Sequence, residues 1–267
     1  MKLRLLTVTD LHQSRKRFHA LGNAIERHRP DALVFVGDAL DAFPLDFKSQ
    51  FPTAESAEFI SQLPVQHMIF VRGNHEDSNW TEFVAAWPHS RRPLRANYGG
   101  GYLIGPLVMV GFPCFTGSEF EWCAHLDVHT NQMKSAPLTP STELSVDTDQ
   151  WLPKLMRRLG PPGRTIWLMH EPPVGLSIGT PETVNHVWTT AVERFNPRLV
   201  ISGHDHMSPI LNNCWHVRLG SSVCVNVGQS EKEFHFVLTD FEFSTSSPSL
   251  PTNIQVQAFP WGERITL

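Results

Sequence analysis

Cysteine is scarce in this 267-residue chain, and the four present, Cys114, Cys123, Cys214 and Cys224, form no Cys-x-x-Cys pair. That spacing argues against a zinc knuckle, and a chain this long needs no disulfide staples, so buried or free thiols are expected. Excess charge is missing as well: 22 Lys and Arg stand against 26 Asp and Glu, a net charge of −4. Such mild acidity carries no footprint of a dedicated nucleic-acid surface, which as a rule reads basic. No apolar run approaches the roughly 18 residues needed to cross a bilayer. The opening run Met1 to Leu6 is too short for a signal peptide, and polar Thr7 and Thr9 follow at once. A soluble, cytoplasmic protein without membrane association is expected. Internal repeats and low-complexity tracts are also lacking. What is present is 41% apolar residues, including eight Trp and seventeen Phe. That is enough for a buried core and for one elaborated domain over 1–267.

The first 75 residues alternate between strand and helix patterns, the mark of an α/β fold. Leu3 to Val8 is a short apolar run that ends at Thr9-Asp10. Residues 15–28 place Phe18, Leu21 and Ile25 at helical spacing, with Pro30 beyond. Ala32 to Val36 is continuously apolar and ends in Gly37-Asp38, which suits a strand buried on both faces. A helix is expected over about 53–63, then a strand over 67–71 that leads into Arg72-Gly73-Asn74-His75. Residues 102–111, broken by Gly105-Pro106, read as a hairpin. Residues 112–147 are long, polar and irregular, an inserted loop or small cap. Asp147 or Thr148 could cap a helix through about 159. Thr165 to Met169 and Arg198 to Ser202 are further strands, and the Ser244 to Thr252 loop separates the last two strands of the tail.

The polar tips of these strands, taken in order, read Asp10-Leu11-His12, Gly37-Asp38, Gly73-Asn74-His75-Glu76, His170 and Gly203-His204-Asp205-His206. In α/β sheets the C-terminal strand ends converge on one crevice. Imidazole nitrogen, carboxylate oxygen and one amide oxygen suit borderline divalent metals such as manganese, iron, zinc, cobalt or nickel. Seven candidate ligands, Asp10, His12, Asp38, Asn74, His170, His204 and His206, are enough for two ions if one carboxylate bridges. Each element alone is ordinary turn chemistry. His19, His28, His67, His89 and His216 are read as bystanders. Five such elements in order, each ending a strand, are hard to produce by chance.

This ordered set resembles the calcineurin-like metallophosphoesterase superfamily, whose pattern is D-x-H, G-D, G-N-H-D/E, H and G-H-x-H. The resemblance spans residues 10 to 206 and implies a four-layer α/β/β/α sandwich with two mixed β-sheets. It also implies two divalent ions. Asp10, His12, Asp38 and His206 would hold the first, with Asp38 bridging to the second, which Asn74, His170 and His204 complete. A hydroxide bridging the ions would attack phosphorus in line. His75, by position a non-ligand, would contact the phosphate and assist the leaving group. The G-H-x-H ending and the His170-Glu171-Pro172-Pro173 string look closer to the phosphodiesterase branch, which includes class III cyclic-nucleotide phosphodiesterases. No Arg follows Gly37-Asp38 as it does in the Ser/Thr protein phosphatases, so that branch is disfavoured.

The expected substrate is a small phosphodiester, a cyclic nucleotide among the candidates. The same site would also serve a phosphomonoesterase or nuclease, or survive in a non-catalytic metal-binding scaffold. In the 112–147 segment Trp122 or Phe120 could stack on a base, and His125 or His129 could touch phosphate. Plain packing of each of these onto the domain is the simpler reading.

Overall fold

The structure, a computed structural model, describes residues 1–41, 48–88, 101–112, 122–127, 132–137, 152–153, 156–157, 160, 162–174, 178–181, 183–245 and 250–267. Two six-stranded sheets dominate it. In the first, β1 (Lys2–Val8), β2 (Ala32–Val36) and β3 (His67–Val71) run parallel. Antiparallel β12 (Phe236–Phe243), β13 (Pro251–Phe259) and β14 (Arg264–Thr266) extend it on the other side of β1. The second sheet has a parallel centre of β5 (Leu107–Gly111), β8 (Thr165–Leu168), β9 (Leu199–Ser202) and β11 (Ser222–Asn226). Antiparallel β4 (Gly101–Ile104) and β10 (His216–Leu219) close its edges. Both sheets are therefore mixed, as expected.

The pleat explains why the central strands read as unbroken apolar runs. Alternate residues face opposite sides of a strand. In β1 to β3, Leu5, Val34 and Ile69 enter the core shared by the two sheets, while Leu6, Phe35 and Phe70 enter the core under the helices. In β8 and β9, Ile166 and Ile201 meet that same shared core, while Trp167 and Val200 face outward into a third apolar cluster. Each strand is dry on both faces, so polar residues are confined to its ends. Burying one such aliphatic side chain is worth about 1.5–3 kcal/mol.

Helices form the outer layers. Helix α1 (Arg15–His28) begins at Ser14, whose side chain accepts from Arg17 N, and buries Phe18, Leu21, Ala24 and Ile25. It stops one residue before Pro30, at Arg29 in the left-handed region. Helices α2 (Thr53–Gln62) and α3 (Asp77–Ala86) share its side of the molecule through the cluster of Ile60, Phe70 and Phe83. Helix α4 (His186–Phe195), capped by Asn185, seats Trp188, Ala191 and Val192 on the outer face of the second sheet. The layer order is thus α/β/β/α.

Some expectations shift. The Gly105 hairpin joins β4 to β5 as anticipated, with Gly105 at φ 56°. The Ser244 to Thr252 loop instead joins β12 to β13, and a further strand, β14, follows; its three residues carry too little pattern to read from sequence. Within 112–147, β6 (Trp122–Asp127) and β7 (Gln132–Pro137) pair antiparallel, with Trp122 opposite Pro137 and His125 opposite Lys134. Phe120, His129, His89 and the Asp147-Thr148 cap lie outside the described residues. Cys214 and Cys224 are free thiols, and Cys224 is buried. Among the described residues, no helix is long and apolar enough to cross a membrane.

Candidate metal centre

All seven candidate ligands come together where the C-terminal ends of β1, β2, β3, β8 and β9 meet. Asp10, His12 and His206 form one group and Asp38, His170 and His204 another, with the potential ligand atoms of each group within 4.8 Å of one another. Asn74 joins the second group. Its Oδ1 lies 3.0 Å from His170 Nε2 and 3.1 Å from His204 Nδ1. The two groups abut: His170 Nε2 is 3.2 Å from Asp38 Oδ2 and 4.0 Å from Asp10 Oδ1. The approach of Asp10 Oδ1 to His170 Nε2 is the contact that joins the two groups.

The backbone is bent to make this possible. Asp10 (φ 52°), His12 (φ 47°), Asp38 (φ 52°) and His204 (φ 65°) all occupy the left-handed region. That region costs a residue with a Cβ roughly 1–2 kcal/mol, and such strain concentrates at functional sites. Hydrogen bonds between the turns hold it: Asp10 N donates to Gly37 O (3.0 Å), His12 N to Asp38 O (2.9 Å) and Gly203 N to His170 O (2.8 Å). Glycine is required at two of the closest approaches. A Cβ on Gly37, at φ 99°, would collide with the His170 ring, and one on Gly203 would collide with Thr9.

The carboxylates are prepared one oxygen at a time. Asp10 Oδ2 accepts from Thr9 Oγ1 (2.7 Å) and His204 N (3.1 Å). Its Oδ1 is buried, has no hydrogen-bond partner and lies 3.0 Å from His206 Nε2. Asp38 Oδ1 accepts from His75 N (2.9 Å), leaving Oδ2 toward His170. His170 Nδ1 faces Val36 O at 2.9 Å, so that nitrogen donates and Nε2 is directed at the carboxylates. An orphaned buried carboxylate oxygen beside converging imidazole nitrogens fits a divalent cation.

Electrostatics point the same way. Burial works against both carboxylates, yet His206 and His170 around Asp10, and His170 beside Asp38, hold both below the usual carboxylate range. Burial also disfavours charge on His170, but Asp38 and Asp10 overcome it and push the pKa up to about 10. Burial, and then the neighbouring His170 charge, push His204 down to about 4. Two buried carboxylates thus demand positive charge at one point, the condition that a metal ion satisfies.

His75 stands at the rim with its Nε2 4.0 Å from Asp38 Oδ2. Its Nδ1 is 3.2 Å from Asp41 Oδ1, a partner the sequence reading passed over. The signal was present in Gly37-Asp38-Ala39-Leu40-Asp41, three residues beyond Asp38. Gln50 Nε2 donates to Asp41 Oδ2 (2.7 Å), Gln13 Oε1 accepts from Asp41 N (3.0 Å), and the Asn79 amide donates to Asp41 O. The Asp41 bond raises the His75 pKa against the burial of the ring. Glu76 was also overlooked. Its buried carboxylate accepts from Asp38 N (3.0 Å), Leu40 N (3.0 Å) and Gly73 N (2.5 Å), tying two ligand turns together. Asp205, the variable residue of Gly203-His204-Asp205-His206, braces its turn instead by accepting from Ser208 N (2.8 Å) and Thr183 Oγ1 (2.8 Å). Of the bystander histidines, His19 lies against Phe51 and Phe59, His28 against Phe236 and Phe259, and His216 against Trp215.

An α/β/β/α sandwich with two adjoining His/Asp groups at its strand ends defines a class of metal-binding phosphoesterase folds. The sequence pattern of calcineurin-like phosphoesterases matches residues 3–208, and the chain belongs to that family. No curated protein sequence matches it. Similar solved structures include TT1561 of Thermus thermophilus, at 14% identity and a TM-score of 0.60, covering 100% of this chain and 99% of that one. A dimetal phosphatase from Danio rerio is similar at 12% identity and a TM-score of 0.60, covering 99% of this chain and 98% of that one. Purple acid phosphatase PPD1 from yellow lupin, Lupinus luteus, is similar at 12% identity and a TM-score of 0.54, covering 100% of this chain and 53% of that one.

Proposed function

We propose that the chain hydrolyses small phosphodiesters, cyclic nucleotides among them, with two divalent cations at the strand-end centre. The observation that carries this reading is the complete pair of ligand groups with the His75–Asp41 pair at their rim. Asp10, His12, Asp38 and His206 would hold one cation; Asn74, His170, His204 and the shared Asp38 would hold the other. Bound there, the cations supply a water acidic enough to attack at neutral pH and neutralise phosphoryl charge.

The remaining work belongs to the chain. The His75 backbone N–H, donated to Asp38, fixes the ring against the centre. Asp41 Oδ1 accepts a hydrogen bond from His75 Nδ1–H, so in the protonated ring Nε2–H is the group free to give its proton to a departing alkoxide. The His12 ring meets the His75 ring edge-on at 4.7 Å, which limits its swing. The preference for diesters rests on the Gly203-His204-Asp205-His206 ending.

The test is a panel of aryl mono- and diesters, cyclic nucleotides and single-stranded nucleic acid, each run with several metals including manganese. Diesters should be turned over fastest. Asp38→Asn should cut turnover to near background together with metal content, whereas His75→Gln should keep metal and lose about 10²-fold or more in rate. Monoester preference would reassign the chain to a phosphomonoesterase. Normal activity in Asp38→Asn would sink the proposal.

A further inference from the structure

Arg17 belongs to neither ligand group, yet its side chain ends against one of them. It lies in the first turn of α1, and its backbone N–H donates to the cap Ser14. The guanidinium is part-buried and forks: Nη1 donates to Asp10 O (2.8 Å) and Nη2 to Ser230 O (3.3 Å). Among the described residues it forms no ion pair with a carboxylate, and both bonds go to backbone carbonyls. A guanidinium keeps its charge at any working pH. Its planar fork also presents donors in fixed directions, which a Lys ammonium does not.

The first arm completes the Asp10 turn. Asp10 N donates to Gly37 O, and Oδ2 accepts from Thr9 Oγ1 and His204 N, which leaves Oδ1 facing His206 Nε2. Among the described residues, the donor to the remaining group, the Asp10 carbonyl, is Arg17. That carbonyl belongs to the peptide that leads from Asp10 toward His12, and both residues hold left-handed backbone, at φ 52° and φ 47°. Asp10 and His12 are two of the three donors of the first group. A charge-assisted bond, roughly twice as strong as a neutral one, therefore fixes the peptide on which their mutual placement depends.

The second arm reaches the segment behind His206. There Gln229 N donates to His206 O (3.3 Å) and Gln229 Nε2 to Thr9 O (3.3 Å). Lys16, beside Arg17 on α1, donates from Nζ to Glu231 O (2.9 Å) and Lys232 O (3.3 Å). Residues 229–233 wall a cavity of about 980 Å³ together with His12, Arg17 and His206. One side chain thus ties the turn that carries Asp10 and His12 to the segment bonded to the third donor of the group.

We propose that Arg17 is a positioning residue of the first ligand group, holding Asp10, His12 and His206 in register for one cation through its two carbonyl bonds. It acts through those ligands and not on the substrate. The second group, Asp38, Asn74, His170 and His204, receives no bond from it. The proposal rests on the two-cation reading of the centre.

The test is cobalt binding to the full chain, followed by calorimetry and by the cobalt d–d absorption bands. The wild type should take up two ions. In Arg17→Met, which keeps the apolar stem and loses the fork, one ion should bind about tenfold or more weakly with altered bands, as loss of an outer partner of a ligand typically does, while the other keeps its affinity. Arg17→Lys retains the charge without the fork and should lie between the two; it decides the matter if Arg17→Met does not fold. In a His206→Ala background, where the first group is already broken, Arg17→Met should leave the affinity of the remaining ion unchanged. Equal weakening of both ions would make Arg17 a general brace of the fold, and unchanged affinities would detach it from the centre; either result overturns the proposal. If the wild type takes up fewer than two ions, the two-cation reading itself fails and this proposal with it.

Discussion

Asp41 Oδ1 and His75 Nδ1 lie 3.2 Å apart, on turns that follow two different strands of the first sheet. The pair sets the proton inventory of the rim. Asp41 raises the His75 pKa, so the ring keeps its proton further into the alkaline range. If protonated His75 assists the leaving group, activity falls as pH rises through that pKa. Asp41→Asn should therefore move the alkaline limb of the pH–rate profile to lower pH and reduce kcat about 10–100-fold, as loss of an orienting partner typically does. The loss should shrink for p-nitrophenyl esters, whose leaving group needs no proton. An unshifted alkaline limb would make Asp41 a purely structural neighbour.

Gly37 combines a close packing constraint with a backbone one. Its φ of 99° is unfavourable for any residue with a Cβ, and the added carbon would run into His170. Gly37→Ala should cost about 2–5 kcal/mol from backbone strain and overpacking together. Urea unfolding measures that loss, and metal analysis should show the His170 group failing before the His206 group.

Metal loading should expel protons. His170, with its pKa near 10, carries a proton at pH 8 and must give it up to become a ligand, whereas His204, near 4, is already neutral. Apparent affinity should rise about tenfold per pH unit for each proton displaced, up to the His170 pKa. Calorimetry in buffers of different ionisation heat counts those protons. A count of zero at pH 8 contradicts the assignment of His170 as a ligand.

Glu76 predicts a pH-dependent stability. Burial and the nearby Asp38 charge push its pKa up to about 7, against the 4.5 of a free glutamate. Between those values the folded chain binds more protons than the unfolded one, so stability falls as pH rises from about 4.5 to 7. Glu76→Gln should lack that slope. It should cost about 1–3 kcal/mol at pH 5, because an amide cannot accept from all three backbone N–H groups, and the difference from wild type should narrow toward pH 7. Denaturant titrations in chelator at the two pH values compare them.

The centre was legible in the sequence because each ligand ends a dry strand. Apolar runs such as Ala32–Val36 admit no polar residue except at their tips, so Asp38, Asn74, His170 and His204 stand out by position. Asp41 was harder to see because it sits one turn past the strand, where acidic residues are common. Gln229 could not be found this way. It donates to Thr9 O across 220 residues of sequence, and no local periodicity encodes that neighbourhood. Helix α3 was missed for a related reason: its amphipathic pattern is weak, and its burial comes from Phe83 meeting Phe70 and Trp87.

The ligands divide between the sheets. Asp10, His12, Asp38 and Asn74 follow strands of the first, and His170, His204 and His206 follow strands of the second. The apolar layer between the sheets, together with the His170–Val36 and His204–Asp10 hydrogen bonds, sets how far apart these two sets of donors stand. That layer works as the gauge block of a vice, since its thickness decides whether the jaws close on an ion. A substitution such as Ile201→Val or Leu168→Ala, wholly interior and touching no substrate, would change the gauge by a methyl group or more. The metal centre would register it as a shifted affinity alongside the lowered thermal melt, which makes bound metal a ruler for the packing of the interior.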